Sequence, residues 1–173
     1  MNNREEDTRH YLHERLLQEA ALARRRGQSL SVVIADLDQF KKINDTYGQQ
    51  TGDIVLQHAV ALTRSALRQS DWIAHCGGEE FVIVLPETPL QGAYAVAERV
   101  RRLCAETPVE LSETQLAVTA SFGVATIDGI APSNSDAEAM LLEADKALNE
   151  SKRAGRNRVT CGPKSASTAA ATA

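Results

Sequence analysis

Trp72-Ile73-Ala74-His75-Cys76-Gly77-Gly78-Glu79-Glu80-Phe81-Val82-Ile83-Val84-Leu85 is the stretch that decides the fold. Two short runs rich in β-branched and aromatic residues flank a pair of glycines. A primed hairpin turn needs positive φ, which glycine adopts without a Cβ clash. The spacing therefore predicts strands over 72–76 and 80–85, joined antiparallel. Upstream, residues 30–35 are short, rich in β-branched residues and apolar on both faces, as in a buried central strand. Downstream, 116–127 alternates Val118, Ala120, Phe122 and Val124, with Gly123 marking a bulge or a close approach, and 158–161 reads as a last short strand.

Helical periodicity separates these strands. Residues 8–26 place Tyr11, Leu12, Leu16, Ala20 and Ala23 on one stripe and end on Arg24, Arg25 and Arg26 before Gly27. Basic residues followed by glycine suit the negative end of a helix. A helix opens directly after Asp38, and Asp53 can cap a second that runs to about residue 67 with Val55, Leu56, Ala59, Leu62 and Ala66 inward. Residues 90–105 carry Leu90, Ala93, Tyr94, Ala97, Val100 and Cys104 at helical spacing, and 136–153 form a last helix that stops at Gly155. The hairpin makes the sheet mostly antiparallel, so the fold class is α+β, with helices on one side of a central sheet. One domain over 8–161 is expected, after a disordered or non-native lead at 1–7 and before a flexible tail at 162–173.

Bulk properties exclude several classes. The 173 residues carry a net charge of −4, which argues against a nucleic-acid polymer as partner. No apolar run approaches the roughly 18 residues of a membrane span, and the N-terminus has no signal-peptide core. The expectation is a cytoplasmic domain without membrane contact of its own, or the cytoplasmic part of a membrane-anchored protein. Cys76, Cys104 and Cys161 have neither zinc-ligand nor redox spacing and read as reduced thiols.

The chemistry concentrates in acidic residues at strand ends. Asp36 and Asp38 follow the buried strand, and Glu79 and Glu80 follow the glycine turn. If those strands are neighbours, carboxylates meet beside a backbone carbonyl, a donor set that suits Mg²⁺. Taken alone, the same residues fit equally a helix cap at Asp38 and an exposed hairpin tip. The segment 39–48 adds a helix start whose free N–H groups can receive phosphate oxygens. Asn44 and Asp53 could read a purine: a carboxylate accepts from guanine N1 and N2, and an amide serves the N3/N2 edge.

Together these residues resemble the GGDEF family of diguanylate cyclases. The signature stands as Gly77-Gly78-Glu79-Glu80-Phe81, a variant with glutamate third. The likeness extends through 36–45, Gly48 and Gly52-Asp53, and resumes at 121–125, 144–148, Lys152 and 155–159. The resemblance implies a sheet like the ferredoxin-like palm of nucleotide cyclases and the condensation of two GTP into cyclic di-GMP and two pyrophosphates. It implies two Mg²⁺ ions per site (or Mn²⁺), held by Asp36, the Leu37 carbonyl and Glu79. Glu79 would also take the proton of the attacking 3′-hydroxyl, with Glu80 beside it. Asn44 and Asp53 would read guanine. Lys152 and Arg156, with the main-chain N–H groups of Phe40 and Lys41, would hold the terminal phosphates, and Gly77 and Gly78 would let the backbone approach the nucleotide. One GTP per domain implies a two-fold homodimer for catalysis.

Arg68-Gln69-Ser70-Asp71 is placed like the family's product-inhibition site, with Arg99 as a further arginine from the next helix. Alone, Arg68 and Asp71 would read as a helix-end salt bridge. His75 stands where the family usually has arginine, Asn149 where it has tyrosine and Gln49 where histidine is common, and Thr8-Arg9 is all that matches its opening motif. Two competing readings follow: a catalytically impaired module that binds GTP or cyclic di-GMP, and another two-metal palm enzyme such as an adenylyl cyclase. The intact Asp36 and Glu79 oppose the first. Asn44 and Asp53 oppose the second, because adenine lacks the N1–H and N2 donors.

Overall fold

The computed structural model describes residues 3–129 and 136–163. Helix α1 spans Asn3–Arg26, strand β1 Leu30–Leu37, helices α2 Phe40–Tyr47 and α3 Gln49–Ser65, and strands β2 Trp72–Gly77 and β3 Glu80–Pro86. Helix α4 follows at Leu90–Glu106, then β4 Val109–Glu110, β5 Gln115–Leu116, β6 Ala120–Ile127, α5 Asp136–Arg153 and β7 Val159–Cys161. Five strands form one sheet in the order β2-β3-β1-β6-β7, and β4 and β5 make a separate two-stranded ribbon. All pairings are antiparallel except β6 with β7. The fold is the expected α+β class.

The helices cover both faces of the sheet, not one. Every residue of β1 is buried, and a central strand apolar on both sides must have cover on both sides. Val33, Ala35, Phe81, Ile83, Phe122 and Val124 pack with Val55 and Ala59 of α3 and with Ala93, Ala97 and Val100 of α4. Val32, Ile34, Trp72, Val82 and Val84 pack instead with Leu12, Leu16 and Ala20 of α1 and with Met140, Ala144 and Leu148 of α5. A one-sided arrangement would leave the apolar stripes of α1 and α5 without a sheet face to cover.

Four local expectations shift. Residues 116–127 do not form one strand, because β5 turns back on β4 and β6 begins only at Ala120. Helix α3 begins at Gln49 behind Gly48, so Asp53 lies inside the helix and does not cap it. Gln39, not Asp38, is the cap residue of α2, and no side chain bonds there. Helix α1 reaches back to Asn3, into the expected unstructured lead; the tail from 164 onward lies outside the described residues.

Gly123 shows why the α5 face closes so tightly. A Cβ at this position would stand 2.0 Å from the Ala144 carbonyl oxygen and 2.3 Å from the Leu148 nitrogen. Those are backbone atoms of α5 and cannot step aside, so β6 and α5 approach only through a glycine.

Candidate active site

The chain's chemistry gathers where β1 ends and the β2–β3 hairpin turns. Gly77 at φ 123° and Gly78 at φ 49° make that turn in conformations that side chains resist. The Leu37 N–H donates to the Glu79 carbonyl at 3.2 Å, which locks the turn against the end of β1. Asp36 and Glu80 are register partners across β1 and β3, so their carboxylates stand side by side on one face. By strand alternation this is the face of Ile34 and Val82, which α1 and α5 cover.

Lysine from α5 reaches the pair. Lys152 Nζ lies 2.9 Å from Asp36 Oδ2. Burial nevertheless raises the Asp36 carboxyl above its ordinary range, opposed by the Lys152 ion pair. Burial also pushes Glu80 up, joined by the charges of Asp36 and Asp145. Lys152, with the more distant charges of Arg156 toward Asp36 and Arg9 toward Glu80, faces one buried and one partly buried carboxylate, with a third, Asp145, close by. The Glu79 side chain is partly exposed and has no hydrogen bond or ion pair among the described residues.

These donors fit a divalent cation bound by a partial protein shell. The oxygens are hard, burial disfavours the charged carboxylates in the absence of a further cation, and the Leu37 carbonyl stands at the strand end. No group of three or more His, Cys, Asp or Glu is poised to hold a metal among the described residues. A short set of carboxylates with a backbone carbonyl suits an ion such as Mg²⁺, which keeps waters and substrate oxygens in its shell.

A second cluster forms at α2 and α3. Asn44 Oδ1 is buried without a hydrogen-bond partner. It rests over Gly52, where a Cβ would come within 1.8 Å of it. Asp53, next in sequence, is exposed. The fold therefore places an unsatisfied amide acceptor beside a free carboxylate. Phe40 and Lys41 open α2, whose first-turn N–H groups have no side-chain cap. Lys41, Lys42 and Arg156 together line a hollow of about 450 Å³ with Gln39 and Asp45. Arg156 is near enough to Asp36 for its charge to lower that carboxyl's pKa.

Arg68 and Asp71 do not form the side-chain salt bridge that their spacing suggests. Helix α3 ends at Ser65, and Asp71 Oδ2 instead accepts from the Arg68 main-chain N–H at 2.9 Å. Asp71 Oδ1 is buried without a partner, and the Arg68 guanidinium and Arg99 are exposed.

Sequence reasoning gave no role to two neighbours of the acidic cluster. Asp145 adds charge against Glu80 and accepts from Asn149 Nδ2 at 3.3 Å, a pair whose i,i+4 spacing was readable. Arg9 Nε donates to the Cys76 carbonyl at 3.2 Å, so α1 grips the strand that carries the glycine turn. Asp38 turns away from both of its expected roles, toward β6. His75, in place of the family arginine, pairs with the Gly78 carbonyl at 3.3 Å. Burial, with the Glu80 charge, pushes the Cys76 thiol up to about 11, in keeping with an inert thiol.

Comparison with known proteins supplies the context. Residues 7–158 match the family described as diguanylate cyclase, GGDEF domain. The chain is 42% identical over 148 residues to diguanylate cyclase DgcP of Pseudomonas aeruginosa, covering 86% of this chain and 22% of that protein. It is 43% identical over 133 residues to diguanylate cyclase A of Treponema denticola, covering 77% of this chain and 35% of that one. It thus spans about a third or less of these relatives' length. Among solved structures, the active GGEEF domain of a Vibrio cholerae diguanylate cyclase superposes with a TM-score of 0.80 at 32% identity, over 90% of this chain and 97% of that one. The GGDEF domain of Caulobacter crescentus DgcB, in complex with c-di-GMP, gives 0.78 at 30% identity over 86% of each chain.

Proposed function

The chain belongs to the diguanylate cyclase GGDEF-domain family, and on that premise we propose that it condenses two GTP into cyclic di-GMP. The observation that carries the reading is the facing pair Asp36 and Glu80, with Glu79 at the adjoining turn and one lysine against the pair. The 3′-hydroxyl of one GTP attacks the α-phosphorus of the other. A P–O bond forms, the bond to the β-phosphate breaks, and pyrophosphate leaves. Glu79, whose side chain has no partner among the described residues, takes the hydroxyl proton. Divalent cations, two Mg²⁺ on the family pattern, would be held by Asp36, the Leu37 carbonyl and Glu79, and would stabilise charge on the attacking and leaving oxygens.

Asn44 and Asp53 select guanine. The orphaned Asn44 oxygen accepts from a base N–H, and a purine without donors on that edge leaves it unsatisfied. Phe40 and Lys41 receive phosphate oxygens through their N–H groups, Lys152 and Arg156 add positive charge, and Gly77 and Gly78 keep the turn bare for nucleotide approach. Repeating the step closes the second phosphodiester, so two domains meet face to face as a homodimer. Product bound at Arg68 and Asp71, with Arg99, holds the domains apart and inhibits turnover. No described helix is long and apolar enough to cross a membrane, and a cytoplasmic setting gives access to GTP.

The test is to incubate purified protein with Mg²⁺ and GTP and separate the products by chromatography. Cyclic di-GMP and pyrophosphate should appear, with specific activity rising with protein concentration. Binding of cyclic di-GMP without turnover would favour a regulatory module, and equal use of ATP would refute the guanine assignment.

A further inference from the structure

Three consecutive residues, Gly155, Arg156 and Asn157, have positive φ of 119°, 63° and 45°. Two of them are not glycine, and L-residues in the left-handed region persist only where their surroundings hold them. The restraints are specific. The Arg156 N–H donates to the Ser151 carbonyl at 3.0 Å. Arg101 Nη1 donates to Asn157 Oδ1 at 3.0 Å. The Asn157 N–H donates to Asp38 Oδ2 at 3.0 Å.

Asp38 is the hub of that restraint. It is 8% exposed, and its carboxylate also accepts from Thr119 Oγ1 at 2.7 Å and Ser121 Oγ at 2.6 Å. Its own N–H donates to the Thr119 carbonyl. A buried carboxylate with three donors is a firm anchor, because charge-assisted bonds are short and strong. The turn that it anchors carries Arg156 along a cleft of about 480 Å³ with Gln39 and Lys42. Neither a metal ligand nor a helix cap accounts for this arrangement, since every carboxylate bond runs to β6, its approach or the turn.

We propose that Asp38 is a positioning residue that holds the strained Arg156–Asn157 turn and thereby aims Arg156 at the terminal phosphates of the nucleotide. The inference rests on GTP being the substrate. Asp38 does not touch the nucleotide; it acts through Arg156.

The experiment measures binding of a non-hydrolysable GTP analogue and of GMP, each with Mg²⁺, by calorimetry. Wild type, Asp38→Asn, Arg156→Ala and the double variant are compared. Asp38→Asn should weaken the analogue roughly tenfold while GMP, which lacks the terminal phosphates, changes by less than about twofold. The double variant should bind the analogue no more weakly than Arg156→Ala alone, because both changes remove one interaction. Equal losses for analogue and GMP, or additive losses in the double variant, would overturn the proposal. If Asp38→Asn does not fold, Arg101→Ala cuts a second side-chain tether of the turn, to Asn157, from outside the cleft. It must give the same selective loss, and an unchanged analogue affinity would overturn the proposal equally. A wild-type protein that binds neither nucleotide would sink the substrate reading itself.

Discussion

Glu80→Gln should make the domain more stable while making it a worse enzyme. Glu80 faces Asp36 across the β1–β3 register, and directly opposed residues have Cβ atoms about 5 Å apart. Two unit charges at about 6 Å and an effective dielectric of 20 repel by about 3 kcal/mol. Most of that is offset: Lys152 sits 2.9 Å from Asp36, and Glu80 is partly exposed, so solvent screens it. A net gain of about 1 kcal/mol remains for the neutral amide, or roughly 2–4 °C in Tm for a domain of this size. Asp36→Asn is a poorer probe because it also strands Lys152.

The pH dependence carries the sign. Glu80's carboxyl is pushed upward in the folded state by burial first and by Asp36 and Asp145 next. Between the ordinary glutamate pKa, about 4.3, and the raised folded value, the folded state holds a proton that the unfolded chain has released. Wild-type stability therefore falls as pH rises through that window, and the penalty is fully present above it. The advantage of Glu80→Gln should be near zero below about pH 4 and reach its plateau toward neutral pH. Thermal melts in EDTA at acidic and neutral pH measure both ends, and a parallel assay should find turnover down about a hundredfold or more. A variant less stable than wild type at neutral pH, or an advantage independent of pH, would refute the reasoning.

Other perturbations separate the remaining roles. Glu79→Gln should abolish cyclic di-GMP synthesis with an unchanged melt, and wild-type turnover in this variant would remove Glu79 as proton acceptor. Asn44→Ala and Asp53→Ala should each weaken GTP binding by about 1–3 kcal/mol, measured by calorimetry against ATP, with equal GTP and ATP affinities in the unmodified protein counting against guanine reading. Gly123→Ala should destabilise the domain by about 4 kcal/mol or more, read from denaturant melts, because its Cβ would meet the α5 backbone at 2.0 Å. Arg68→Ala should relieve inhibition in progress curves with added cyclic di-GMP, and superimposable curves would reduce Arg68 and Asp71 to an ordinary turn.

The hairpin was legible because Gly77-Gly78 admits few alternatives, and β1 because its apolar run is unbroken. That same run announced two covered faces: with Val32 and Val33 both at 0% exposure, no one-sided arrangement of helices suffices. The β4–β5 ribbon was not legible, since two-residue strands are too short to show any alternation. The partners of Asp38 were not legible because Thr119, Ser121 and Asn157 are more than 80 residues away in sequence, beyond the reach of a local pattern such as capping. Arg68 and Asp71 satisfy an i,i+3 rule, but the helix ends at Ser65 before either residue, so the rule never applied.

The two halves of the candidate site belong to opposite sides of the sheet. Asp36 and Glu80 share the face covered by α1 and α5, while Asn44 and Asp53 sit on α2 and α3, whose apolar residues pack on the other face. A nucleotide read by Asn44 and activated beside Asp36 must therefore lie across the end of the sheet, over the bare turn of Gly77 and Gly78, and not along either face. On the proposed reading, that path would bring the α-phosphate to the outer surface of the domain, where a second copy could meet it. The grip of α1 on the same hairpin, through Arg9 and the Cys76 carbonyl, then ties the helix that leads into the domain to the part of the site over which the nucleotide must pass.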